Sequence, residues 1–134
     1  MITITVTVDN ITNVLMVFSR VQLMKYIGSG IPSSPVNISE FAVIANGVDQ
    51  INNRNNVSDI ILSSTYTQYY FIDPTGDSSA WYISRYTNES FDTFSSWSDP
   101  IQGELGSFYY NPLYPPEVDY GTQDKLVINR IRLL

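Results

Sequence analysis

The 134-residue sequence predicts an all-β antiparallel sandwich, followed by an extended C-terminal arm and a short terminal helix. Three observations carry that expectation. The opening MITITVTV alternates without fault, with Ile2, Ile4, Val6 and Val8 on one face and Thr3, Thr5 and Thr7 on the other. That is the period of a half-buried strand, in residues that suit a pleated surface. Short runs rich in β-branched and aromatic residues then recur between turn signals, the spacing of a sandwich. After Gly103 the alternation gives way to a Tyr- and Pro-rich stretch and an apolar end.

The elements follow in order. Asp9 to Asn13 reads as a turn. Val14 to Gly28 is long enough for a helix, but its β-branched and aromatic content favours a strand bent near Ser19. Gly28 to Pro35 is a loop, Glu40 to Ala45 a short strand, and Asn46-Gly47 a turn. Ile60 to Leu62 is a short apolar run, and Thr65 to Ile72 a β-rich run that stops at Asp73-Pro74-Thr75-Gly76-Asp77. Trp81 to Tyr86 and Trp97 to Gln102 read as two strands around a polar hairpin, Thr87 to Ser96.

The sandwich is expected over residues 1–104 and the arm over 105–134. About 100 residues bury roughly two thirds of their unfolded surface, enough for a core without staples. In the arm, Tyr109, Tyr110, Tyr114 and Tyr120 lie among Pro112, Pro115 and Pro116. Proline denies a ladder its donor, so an extended segment is expected there. Thr122 or Asp124 is placed to cap a last helix on which Val127, Ile131 and Leu134 share a face. About ten residues of helix are marginal alone. An apolar face of that kind asks for something to pack on.

Composition narrows the chemistry. The chain has no Cys and no His, which removes disulfides, thiol nucleophiles, the commonest metal ligand and the commonest general base. Its formal net charge is −6, so nucleic acid is not an expected partner. The basic residues before Gly121 are Arg20, Lys25, Arg54 and Arg85, while Lys125, Arg130 and Arg132 fall near the C-terminus. No apolar run has the ~20 residues that span a bilayer, and the N-terminus has no signal-peptide pattern.

Candidate chemical motifs are few. Asp73-Pro74-Thr75-Gly76-Asp77 lacks the acids and bidentate Glu of a calcium loop and reads as a β-turn. The neighbouring acids Asp99 and Glu104, or Glu117 and Asp119, fall at turns and in the arm rather than in a converging pair. Asn-X-Ser/Thr triplets at Asn10, Asn37, Asn56 and Asn88 are of a kind that a chain rich in these residues produces by chance. No enzyme activity, cofactor or metal is implied. Tyrosines in strands are read as packing, and those of the arm as interface.

The stretch from about Phe18 to Glu104 resembles a fibronectin type III-like, immunoglobulin-class β-sandwich of tailed-bacteriophage structural proteins. FSRVQLMKYIG, SEFAVIA, TQYYFIDPTG and SAWYISRYTN followed by SSWSDPIQGE carry the likeness. The Trp usual early in animal fibronectin repeats is absent, so the match to those is architectural. The resemblance places Tyr82 at the tyrosine-corner position. DYGTQDKLVINRIRLL resembles the segment leading into the first helix of phage head–tail connector proteins.

These likenesses imply a non-enzymatic virion component, made in the bacterial host cytoplasm. It would dock at the head–tail neck through Tyr109, Tyr110, Tyr114, Tyr120, Val127, Arg130, Ile131 and Leu134. Its partners would be portal or adaptor, capsid or tail proteins, met in many copies on a symmetric assembly. A capsid decoration (cement) protein and a tail or fibre adaptor are the neighbouring alternatives. The alternative of another class is a carbohydrate-binding adhesion module using Trp97, Phe91 and Phe94.

Overall fold

A computed structural model of the chain describes residues 1–77, 79–102, 107–110 and 129–133. The chain opens with β1 (Ile2–Val8), a one-turn helix α1 (Ile11–Val14), β2 (Arg20–Tyr26) and a 3-10 turn at Ile38–Glu40. Short strands follow: β3 (Phe41–Val43), β4 (Val48–Asp49), β5 (Arg54–Asn55) and β6 (Asp59–Ile61). Then come β7 (Gln68–Asp73), β8 (Trp81–Thr87), β9 (Ile101–Gln102), β10 (Ser107–Tyr110) and β11 (Asn129–Leu133).

The strands form two antiparallel sheets. One runs β10-β11-β1-β7-β4-β5; the other runs β3-β2-β8-β9, with β6 also pairing β2. The all-β sandwich expected from the alternation is the architecture observed. Ile4 lies opposite Phe71 and Val6 opposite Tyr69 across β1 and β7. They meet Val21 and Leu23 of β2, Ile60 of β6, and Tyr82 and Tyr86 of β8 in one core. Each fully buried aliphatic side chain of this kind contributes about 1.5–3 kcal/mol. β1 lies between β7 and β11, and Thr5 and Thr7 are buried along with its apolar face.

Three stretches depart from the sequence expectation. First, residues 9–19 make a compact turn rather than an early start to β2. Asn10 takes the left-handed conformation, φ 60°, which Asn tolerates better than most residues. Its carbonyl accepts from Asn13 N–H and Val14 N–H, opening α1. Ile11 and Val14 then enter the core, and Phe18 stacks on Tyr86 with ring centroids 5.6 Å apart. Tertiary burial overrides the strand propensity of the β-branched run.

Second, the return from the polar hairpin is a regular strand only at Ile101–Gln102. Before that, serine side chains stand in for ladder carbonyls. Ser84 N–H donates to Ser98 Oγ at 2.9 Å, and Tyr86 N–H to Ser95 Oγ at 2.7 Å. Backbone bonds return from Ser98 N–H to Ser84 O and from Ser95 N–H to Tyr86 O.

Third, Asn129–Leu133 is a strand, not part of the expected terminal helix. From Arg130 to Leu133 its sequence, Arg-Ile-Arg-Leu, alternates polar and apolar, the strand period. It pairs with β1 from Ile4↔Leu133 to Val8↔Asn129. Ser107–Tyr110, expected in the extended arm, is a strand as well and pairs with β11. The rest of the expected arm and helix lies outside the described residues.

Candidate binding site

One end of the sandwich is closed by a buried carboxylate. Asp73 ends β7 in the first sheet; Lys25 of β2 and Tyr82 of β8 stand opposite each other in the second. Residues directly opposite across antiparallel strands share a face, so Lys25 and Tyr82 both turn toward Asp73. Tyr82 Oη–H donates to Asp73 Oδ2 at 2.7 Å, and Lys25 Nζ lies 2.9 Å from the same oxygen. Thr75 N–H donates to Asp73 Oδ1 at 3.1 Å, and Lys25 Nζ also donates to Thr75 Oγ1 at 3.1 Å. Asp73 and Tyr82 are fully buried.

The electrostatics follow from these contacts. Burial pushes the Asp73 carboxyl up, but the Lys25 and Tyr82 bonds, the Lys25 charge and the Thr75 N–H outweigh it, and the net shift is downward. Burial, then the Asp73 carboxylate beside it, pushes the Tyr82 phenol well above the ordinary tyrosine range. A Cβ on Gly76 would overlap Tyr82 Oη and crowd Ile2 Cγ2 at 2.6 Å, so glycine is needed where the turn crosses this cluster. The expected tyrosine corner is therefore a side-chain contact: Tyr82 reaches a carboxylate nine residues upstream rather than a backbone group.

Outside this cluster lies a cleft of about 420 Å³, lined in part by Lys25, Tyr26, Thr75, Asp77, Trp81 and Gln102. Asp77 is exposed but held: its Oδ1 accepts from Ser79 N–H at 2.9 Å and Ser79 Oγ–H at 2.6 Å. The Ser79 side-chain bond, then its backbone bond, and the nearby Lys25 charge hold the Asp77 carboxyl below the usual range. Gln102 Nε2 donates to Ser79 O at 3.1 Å, tying the far wall to the same turn. A second cleft of about 260 Å³ adjoins, with Ile31, Pro32, Asp99 and Pro100 among its walls, and Trp81 borders both.

The β4–β5 side of the first sheet carries a second polar tie between the sheets. Asp49 of β4 is fully buried and accepts from Ile51 N–H, Asn52 N–H, Asn52 Nδ2 and Ile61 N–H. Arg54 bridges it to Asp59 of β6, with Nη1–Oδ2 3.3 Å to Asp49 and Nη2–Oδ1 3.0 Å to Asp59. Arg20 of β2 adds a contact of 2.9 Å to Asp59. Asp49 and Asp59 both serve the frame.

The rings proposed for a carbohydrate platform are partly taken. Arg85 lies 3.7 Å from the Phe94 ring centroid and 4.2 Å from that of Trp97, with Nε donating to Gln22 Oε1 at 2.8 Å. Arg20 lies 5.5 Å from the Phe91 centroid. Cation–π contacts of this kind fasten the hairpin tip to the outer face of the second sheet.

Of the expected docking residues, Tyr109 and Tyr110 lie in β10 and Arg130 and Ile131 in β11. The register pairs Tyr109 with Arg130, so the sheet brings these together. Tyr114, Tyr120, Val127 and Leu134 lie outside the described residues. Sequence reasoning missed the cleft. Asp73 to Asp77 was legible as a turn and Trp81 as a strand residue, but nothing local tied them to Lys25. Among the described residues, no group of three or more acids is placed to hold a metal ion, and no helix is long and apolar enough to cross a membrane. No family model, curated protein or solved structure matches the chain.

Proposed function

We propose that the chain is a non-enzymatic structural component of a tailed-phage virion. It docks on other virion proteins through its C-terminal strands, with the head–tail neck as the favoured position. A capsid decoration protein and a tail or fibre adaptor are the alternatives within this class. The resemblance in the final hairpin and the C-terminal segment motivates the reading. The observation that carries it is the position of β10 at the outer end of the first sheet.

No described strand pairs with the outer side of β10. An edge strand presents a row of N–H and C=O groups that another chain's strand can complete. Tyr109 and Tyr110 lie on it, and tyrosine is enriched at protein interfaces. Repetition on a symmetric shell lets a small interface per copy hold firmly. The inward use of Asp49, Asp59 and Asp73 is in keeping with a module that binds rather than reacts.

Deleting the C-terminus would also strip β11 from β1, so point changes are the better test. Tyr109→Lys and Tyr110→Lys place charge on the edge, a device that blocks strand addition. Both variants should lose about tenfold or more in incorporation when they compete with wild type for particles. Tyr109→Lys, on the face of Thr7 and Arg130, should keep its thermal midpoint, whereas Tyr110→Lys, on the face of Val8 and Asn129 that meets the core, is compared at equal folded concentration. If both join particles at wild-type occupancy, the docking edge is not β10. A carbohydrate-binding adhesion module is the second reading; the Trp81 cleft favours it, whereas Trp97, Phe91 and Phe94, each near a guanidinium, do not.

A further inference from the structure

We propose that the cleft beside Trp81 is a binding site for a neutral saccharide of about two rings. The inference deepens the second reading above and is independent of docking through β10. A sugar ring has a C–H face that lies well on an aromatic plane, and a rim of hydroxyls that both donate and accept. A site for it needs one flat apolar wall and several fixed polar groups of mixed type.

The cleft has those parts. Trp81 borders it, and Asp77, Thr75, Gln102 and Tyr26 supply a carboxylate, a hydroxyl, an amide and a phenol. Its volume of about 420 Å³ lies within the roughly 300–1,000 Å³ of small-molecule sites. The adjoining cleft of about 260 Å³, on the same tryptophan, extends the groove by the room for a second ring.

The polar groups are fixed before any ligand arrives. Ser79 holds Asp77 through two bonds and Gln102 through its carbonyl. Asp73 and Thr75 hold Lys25. Groups already ordered lose little freedom on binding.

Charge decides the class of sugar. The Lys25 ammonium sits against the buried Asp73 carboxylate, so it offers little net attraction to an anion. Asp77, exposed in the cleft, makes no ion pair among the described residues and places a negative charge at the rim. Uronic and sialic acids are therefore disfavoured, and neutral hexose and N-acetylhexosamine disaccharides are favoured.

The test is an NMR titration of the full chain, following the two indole N–H resonances. Lactose, maltose and N,N′-diacetylchitobiose are the probes, each taken to about 50 mM, which covers weak millimolar binding. At least one should move the Trp81 indole saturably and leave the Trp97 indole in place. Digalacturonic acid should bind at least about tenfold more weakly than the best of these. Trp81→Ala should weaken binding at least about tenfold, and Asp77→Ala, at an exposed turn, at least about threefold. Asp77→Ala decides the matter if Trp81→Ala fails to fold. Three results overturn the proposal: no saturable shift with any neutral probe, binding unchanged by Asp77→Ala, or equal binding of the acidic disaccharide.

Discussion

Replacing Tyr82 by Phe removes one oxygen from the interior and leaves the ring in place. The lost bond is the 2.7 Å contact from Tyr82 Oη to Asp73 Oδ2, between two fully buried residues. A neutral hydrogen bond contributes about 1 kcal/mol, and one to a charged group about 1.5–3 kcal/mol. Asp73 Oδ2 keeps Lys25 at 2.9 Å, so the carboxylate is not left without a partner. The expected loss is therefore about 2 kcal/mol, near the lower middle of that range.

Urea unfolding reads this directly. With a slope of about 1–2 kcal/mol/M, the midpoint should fall by about 1–2 M with the slope unchanged. The pH dependence gives a second signature. The folded Asp73 carboxyl sits below its ordinary value, so its stabilisation is present above that value and is lost as pH falls through the lowered one. Removing the phenol weakens that depression, so Tyr82→Phe should unfold at higher pH on the acid side than wild type. A loss under about 0.5 kcal/mol with the same acid midpoint would refute the bond and the strand register that places it.

Arg54→Ala should cost about 2–4 kcal/mol, because it takes the cation from the buried Asp49 and from Asp59; a loss under about 1 kcal/mol in chemical denaturation would show the tie carries little. Gly47→Ala should cost about 3 kcal/mol, since the added carbon would overlap the Val57 carbonyl and the Phe71 ring, and backbone cannot yield as a side-chain tip can; near-wild-type stability would mean this turn is misplaced. Ser98→Ala should cost about 1–2 kcal/mol by removing the buried bond from Ser84 N–H to Ser98 Oγ, measured by thermal unfolding, with no change counting against the serine-pinned hairpin. On the alkaline side, the raised Tyr82 and Tyr69 phenols contribute stability that is complete below about pH 10 and lost as pH rises beyond it; Tyr82→Phe should flatten that loss in a pH series.

Where residues decide structure locally, the sequence was readable. The alternation of Ile2 to Val8, the Asn46-Gly47 turn and the Asp73 to Asp77 turn each act within a few positions, and each is found. Residues 14–19 were harder. Val14, Val17 and Phe18 favour strand by propensity, but burial of Ile11, Val14 and Phe18 wins. The serine-pinned return at Ser95 and Ser98 was hidden because Ser reads as turn-former, not as a substitute for a ladder carbonyl. At the C-terminus, Val127, Ile131 and Leu134 fit a helical face while Arg130 to Leu133 fits a strand period; pairing of Asn129–Leu133 with β1 chooses the second. The Trp81 cleft was illegible for a different reason. Lys25, Asp77 and Trp81 meet only because β2 and β8 are neighbours, and no local pattern encodes that.

The most direct test of the docking account is amide hydrogen exchange at β10, compared between the isolated chain and purified virions that carry it. An edge strand completed by a partner loses its exposed amides. Exchange at Ser107–Tyr110 should slow by about tenfold or more in the particle, while β1, already paired on both sides, changes little. Equal exchange at Ser107–Tyr110 in both states would contradict docking through this edge.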